Sequence, residues 1–294
     1  MKKYKLVVCI TLTVLCCTAL FVPVSASADT GPKPSVQIKF VNMGAEICYA
    51  TLLSHEANSG PYFAWDGDDE NADPYELGEI WHAFAEYKDR DGYYFLQWAK
   101  RCDETQKFSW TYYPPQKFKI LLYYPELDAF VSSGVCKRYA FDSYFTVNMQ
   151  GITVGSVDQT LTPKKSYNYG WEIFTLVLRI VITILIEIGL AWLFRMRERK
   201  VFLTILFTNV ATQVLLNVAL NVINYYMGAL MWLIMYFLLE LAVFVVEFVV
   251  YALVFPRVAN AKIPCWKTLL YTLAANVTSF VLGGLLALVI PAIF

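Results

Sequence analysis

Charge is scarce in this sequence. Asp, Glu, Lys and Arg make up 16% of its 294 residues, where a soluble globular chain carries roughly a quarter. With 57% hydrophobic residues beside it, that shortage argues against an ordinary cytosolic enzyme. Neither sign is in excess, at 24 basic and 24 acidic residues, so the chain lacks the basic surplus of a nucleic-acid binder. His55 and His82 are its only histidines, which excludes a multi-histidine metal site within one chain. Nucleophile and metalloprotease signatures are missing: there is no Gly-x-Ser-x-Gly, Ser-x-x-Lys or His-Glu-x-x-His. Cys-x-x-Cys and the Gly-x-Gly-Asp of intramembrane proteases are missing too. No motif calls for a cofactor, and the reading is non-enzymatic.

What the chain has instead is long apolar runs. The first follows a basic head, Met1-Lys2-Lys3-Tyr4-Lys5, and extends from Leu6 to Val22 before Pro23 and Ser25-Ala26-Ser27-Ala28. A basic head, an apolar stretch and small residues at alternate positions predict a signal peptide over 1–28, cleaved after Ala28. Four further runs, 173–194, 201–223, 230–255 and 268–293, are each about the length that crosses a hydrocarbon core. Together they predict a four-helix transmembrane domain over 171–294.

The connections orient it. Arg195, Arg197, Arg199 and Lys200, then Arg257, Lys262 and Lys267, face a single acid, Glu198, so both basic connections belong in the cytoplasm. The uncharged connection around Asn224 to Ala229 then lies outside, as does the segment before Trp171, and four spans return the C-terminus to the outside. The expectation is a multi-pass plasma-membrane protein with an extracellular N-terminal domain. Between Asp29 and Gly170 there are 13 basic and 19 acidic residues, a net of −6, so the overall neutrality is a cancellation.

Short segments of β-branched, aromatic or alternating residues fill the exported part, among them Ser35 to Phe40, Ile47 to Leu53, Gly92 to Trp98, Lys119 to Tyr124, Tyr144 to Met149 and Ile152 to Val157. Gly, Pro, Asp and Asn clusters punctuate them, the pattern of an antiparallel sandwich or barrel. We therefore expect a mainly-β domain over 29–161, immunoglobulin-like or related, a short helix within 77–87, and a juxtamembrane linker over 162–170. Its three cysteines, Cys48, Cys102 and Cys136, allow at most one disulfide among them, with the pairing open. Cys9, Cys16 and Cys17 lie in the signal segment and Cys265 in an inner connection. The acidic run from Asp66 to Asp73 offers Asp66, Asp68 and Glu70 as weak cation ligands; it departs from the EF-hand loop, and a solvated loop is the plainer reading.

Cys48-Tyr49-Ala50-Thr51-Leu52-Leu53-Ser54, Tyr112-Tyr113-Pro114-Pro115, Phe118-Lys119-Ile120-Leu121-Leu122-Tyr123-Tyr124-Pro125-Glu126 and Tyr139-Ala140-Phe141-Asp142-Ser143-Tyr144-Phe145, followed by four helices with paired glutamates, resemble a group of membrane proteins from Gram-positive anaerobes of the clostridial type. The resemblance spans most of the mature chain. It implies the same layout and carries no assigned activity.

Polar residues at membrane depth are the sharper signal, since an ionisable group there costs roughly 2.5 to 3.5 kcal/mol and normally faces a partner or a cavity. Glu187 lies 7 residues from Phe194, and Asn209, Glu247 and Asn276 each lie 8 from the cytoplasmic ends of their runs. All four are thus roughly 11 to 12 Å above the inner boundary. Arg179, Asn217 and Glu240 form a second layer at roughly 23 Å, where Arg179 and Glu240 could pair. Two readings fit these layers: interhelical hydrogen-bond glue, or a cation or proton site at the Glu187, Asn209, Glu247, Asn276 level, where two carboxylates share no cation.

Two functions follow as expectations. The first is a ligand-binding or sensing domain outside the cell, anchored by the bundle. The second is a small channel or transporter that uses the intramembrane Glu and Asn residues. With only two short basic connections inside, either calls for a membrane or cell-surface protein partner or a second copy of the chain, and neither involves nucleic acid.

Overall fold

The computed structural model describes residues 31–155 and 160–289, the side chains of 286–289 aside. The expected signal segment, with Cys9, Cys16 and Cys17, lies outside the described residues, as does the end of the run 268–293. Two compact units follow one another, Pro32–Tyr167 and a second from Asn168 onward.

The first unit is β-rich. One sheet is ordered β13–β11–β1–β7, from Lys164–Lys165, Asp142–Asn148, Ser35–Val41 and Lys107–Trp110. The other is ordered β12–β9–β8–β2–β5, from Thr160–Leu161, Ala129–Ser133, Lys117–Tyr124, Tyr49–Ser54 and Tyr94–Phe95. In addition β10 (Cys136–Lys137) pairs with β8 and β6 (Lys100–Arg101) with β2. A small hairpin joins β3 (Asn58–Ser59) to β4 (Tyr62–Phe63).

Alternation decides which residues meet. Val36, Ile38 and Phe40 of β1 point one way and are buried, and they share a core with Ala50 and Leu52 of β2 and with Phe118, Ile120 and Leu122 of β8. The side chains between them, Leu121 and Tyr123, face the other way onto α1 (Glu79–Glu86). There Trp81 and Phe84 close a second core, and the Trp81 indole donates to Gln97 at 3.0 Å. Strand β8 is therefore covered on both faces, which is why Ile120 to Tyr124 run apolar without alternation.

Two pairings depart from the expected antiparallel pattern. β1 runs parallel to β11 over seven residue pairs, and β12 runs parallel to β9. Parallel neighbours require a long crossover, and partners 107 residues apart, Ser35 and Asp142, leave no trace in local alternation. Residues 164–165, expected in the linker, add β13 to the edge of the first sheet.

The second unit consists of four helices, α2 (Tyr169–Leu193), α3 (Arg199–Met227), α4 (Ala229–Val258) and α5 (Cys265–Val289), all long and apolar enough to cross a membrane. Each packs against two neighbours, α2 and α4 both lying against α3 and α5. Asn168 caps α2 by accepting from the Trp171 N–H. The connection expected between α3 and α4 shrinks to Gly228, whose φ of +81° glycine adopts without strain. Helical hydrogen bonding simply continues past the point where apolar letters give way to Asn224, Tyr225 and Tyr226. At the opposite end Glu198 joins two connections by accepting from the backbone N–H groups of Asn260 at 2.7 Å and Ala261 at 3.1 Å. Those bonds hold its carboxyl below the usual range.

Candidate functional site

Polarity in the bundle is distributed inside out. Leu185, Phe207, Leu215 and Phe237 are each more than 60% exposed on the outer faces, whereas Glu187, Asn209 and Glu247 are fully buried. In water this arrangement would be unstable; in lipid it satisfies both surfaces.

Glu187 (α2), Asn209 (α3), Glu247 (α4) and Asn276 (α5) come from four different helices and are all interior. Glu247 is fully engaged: one carboxylate oxygen accepts from the Thr212 hydroxyl at 2.7 Å and the other from the Asn276 amide at 2.8 Å. Asn209 donates to the Tyr251 hydroxyl at 2.9 Å and to the Ile205 carbonyl at 3.0 Å. The Tyr271 hydroxyl donates to the backbone carbonyl of Glu187 at 3.3 Å. The Glu187 carboxylate itself lies within electrostatic reach of Glu247 and beside the Asn209 amide, yet among the described residues neither of its oxygens accepts a well-formed hydrogen bond. The side-chain oxygens of Asn209 and Asn276 are in the same position.

Four buried acceptor oxygens without donors, in a layer that holds two carboxylates, amount to a surplus of negative potential. Buried polar groups ordinarily find partners, and an oxygen-only set of this kind suits a proton or a hard cation.

The second layer differs. Arg179, Asn217 and Glu240 line one cavity of about 20 Å³ together with Gln213, Tyr236 and Gly283, which is room for about one water molecule. Arg179 and Glu240 do not form the expected ion pair. The guanidinium lies 5.8 Å from the centre of the Trp232 ring, and among the described residues one Glu240 carboxylate oxygen is buried without a hydrogen bond. Trp232, Tyr236 and Phe280 form a stacked column with ring centroids 5.2 and 5.0 Å apart, and the Tyr236 hydroxyl donates to the Phe280 carbonyl at 2.9 Å. The column competes for the face that the ion pair needs. Asn217 turns back onto Gln213, donating to its carbonyl at 2.8 Å.

Sequence reasoning missed Thr212, Tyr251, Tyr271 and Tyr236. Helical spacing held a signal for three of them: Thr212 follows Asn209 by three residues, Tyr251 follows Glu247 by four and Tyr236 precedes Glu240 by four, so each shares that neighbour's face.

In the β-rich unit Lys119 is buried and bridges Asp89, at 2.8 Å, and Asp91, at 2.6 Å. Burial works to raise the Asp89 carboxyl, but the Lys119 ammonium and the backbone N–H groups of Asp91 and Tyr93 outweigh it and hold the group below its ordinary value. Burial likewise opposes the Lys119 charge, and the two carboxylates overcome it, leaving the ammonium above its ordinary value. This pair borders an open groove of about 630 Å³ lined also by Tyr87, Phe130, Ser132 and Thr160, within the size range of small-molecule pockets.

The acidic run spends its carboxylates on its own backbone. Asp66 accepts from the Asp68 N–H, Asp68 from the Glu70 N–H, and Asp73 from the N–H groups of Leu77 and Gly78. Asp66, Asp68 and Glu70 are exposed, and no group of three His, Cys, Asp or Glu among the described residues is placed to hold a metal. All three cysteines are free thiols in this structure: Cys48 and Cys102 are buried, with the Cys102 N–H donating to the Cys48 carbonyl, and Cys136 stands on β10.

Compared with protein-family models, curated proteins and solved structures, the chain has no significant match in any of the three. Its class therefore rests on its own architecture: a β-rich N-terminal part followed by four helices that can span a bilayer, which makes it a multi-pass membrane protein.

Proposed function

We propose that this is a non-enzymatic plasma-membrane protein with its β-rich domain outside the cell. In this reading the four-helix bundle takes up one positive charge, a proton or a small monovalent cation, between Glu187 and Glu247. The observation that carries it is the Glu187 carboxylate, fully buried beside a second glutamate, with the Asn209 amide near it and no well-formed hydrogen bond to either oxygen among the described residues. Glue alone accounts for Glu247, whose oxygens are both used; it does not account for Glu187. The basic connections support the orientation through the positive-inside rule.

The β-rich domain, which we read as a sandwich related to the immunoglobulin type, is proposed as a sensor for an extracellular ligand. The Lys119 groove favours this second element, since it combines a fixed cation, carboxylates and aromatic walls. Output through such small inner connections requires a second copy or another membrane protein as partner.

The test is infrared difference spectroscopy on the protein reconstituted in liposomes, stepped in pH and then in sodium or potassium concentration. A carboxyl band that responds in the wild type and vanishes in the folded Glu187→Gln/Glu247→Gln double variant supports the site. An identical response from both proteins removes it.

A further inference from the structure

We infer that Cys48 and Cys102 are joined by a disulfide in the mature protein while Cys136 stays a thiol, an inference that rests on the β-rich unit lying outside the cell.

The pairing follows from register. Strands β2 and β6 are antiparallel, with Tyr49 opposite Arg101 and Ala50 opposite Lys100. One step further along the ladder Cys48 stands opposite Cys102, and the Cys102 N–H donates to the Cys48 carbonyl at 2.9 Å. Residues directly opposite on antiparallel strands have Cα atoms about 4.5 to 5.5 Å apart and point to one side of the sheet. That separation lies inside the range of about 4.4 to 6.8 Å spanned by disulfides. Both side chains sit in the same core at 0% exposure, and the Cys102 sulfur is 3.5 Å from the Cys48 carbonyl oxygen.

Cys136 is placed elsewhere on the same sheet. It opposes Phe118 at the start of β8, whereas Tyr49, next to Cys48, opposes Tyr123 near the strand's end. Five residues of strand separate those positions, roughly 17 Å at about 3.4 Å per residue, which neither other cysteine can bridge.

Oxidation joins the two sulfurs and releases two protons and two electrons. A disulfide-bearing exported oxidoreductase accepts them: one cysteine thiolate attacks its disulfide, the second displaces the mixed disulfide, and the donor leaves as a dithiol. Because both sulfurs are enclosed in the finished core, exchange takes place while the exported chain is still folding. In a folded but reduced domain the contact with Cys48 and then burial push the Cys102 thiol upward, so a closed dithiol is a poor nucleophile. The bond joins cysteines 54 positions apart and ties off the segment that contains α1 and the β3–β4 hairpin.

The experiment uses full-length protein from its own membrane, denatured without reductant in N-ethylmaleimide, digested and mapped by mass spectrometry. The expected result is a Cys48 peptide linked to a Cys102 peptide, lighter by two hydrogens than the sum of the free pair, with Cys136 alkylated. Alkylation of both Cys48 and Cys102, or a link to Cys136, overturns the inference. External protease on intact cells separates the causes of failure. A cleaved domain with alkylated cysteines rejects the disulfide alone, and a protected one rejects the outside placement together with the disulfide.

Discussion

Asn276 and Glu247, 29 residues apart on neighbouring helices, meet through one amide-to-carboxylate hydrogen bond of 2.8 Å. The same Asn276 nitrogen also donates to the Thr272 carbonyl of its own helix, so the amide orientation is fixed and its oxygen is the atom left over. Replacing Asn276 by Leu deprives Glu247 of one donor. The expected cost is about 1 kcal/mol, the scale of interhelical hydrogen bonds in membranes, read as a lower midpoint in detergent unfolding.

The two glutamates at this level predict opposite outcomes. Glu247→Leu removes the acceptor shared by the Thr212 hydroxyl and the Asn276 amide, which then keep only the carbonyls of their own helices, and should cost about 1 kcal/mol per lost interhelical contact. Glu187→Leu removes a buried group that no donor serves, and such a replacement is neutral or stabilising. Unfolding of both variants in one detergent checks the ordering, and equal destabilisation would contradict it.

Lys119→Met takes the ammonium from Asp89 and leaves it the backbone N–H groups of Asp91 and Tyr93, which should cost about 1 to 3 kcal/mol. The pH profile of the wild type follows from the same contact. Asp89 titrates lower in the folded state than unfolded, so its contribution is present above the unfolded carboxylate value, about 3.9, and is lost as pH falls through the folded value. Lys119 titrates higher when folded, so its contribution is complete below about 10.4 and is lost as pH rises through the folded value. Near-UV circular dichroism melts should show a plateau between these limits, lower in Lys119→Met and without the alkaline edge that Lys119 sets.

A paired substitution tests the upper cavity. A Cβ on Gly283 would stand 2.7 Å from the Tyr236 hydroxyl, whereas one on Gly284 meets nothing within 4 Å. Gly284→Ala should be neutral or stabilising by up to about 1 kcal/mol. Gly283→Ala should forfeit that gain by pushing Tyr236 off the Phe280 carbonyl. Thermal unfolding of the two variants side by side is the measurement.

Much of the layout was legible in the sequence because its causes are local. Apolar runs long enough to cross a bilayer give the four helices, and strict alternation from Ser35 to Phe40 gives a half-buried strand. The parallel partnership of β1 with β11 was not legible, since register between distant segments is settled by the shared core rather than by either strand. Depth counting picks out Glu187, Asn209, Glu247 and Asn276 as residues of one level. It says nothing of Thr212, Tyr251 or Tyr271, because Thr and Tyr in an apolar run read equally well as lipid-facing or interfacial. It also suggested an Arg179–Glu240 pair; the guanidinium lies over the Trp232 ring instead, a contact that helix depth alone does not reveal.

The single-residue turn at Gly228 bears on how the protein is made. With 29 helical residues before it and 30 after it, there is no polar tether to hold one helix at the surface while the other waits. α3 and α4 therefore enter the bilayer together as a hairpin, and Thr212 reaches the lipid phase already facing Glu247. The buried acid gains its first hydrogen-bond donor from the neighbouring helix before α2 and α5 close around it.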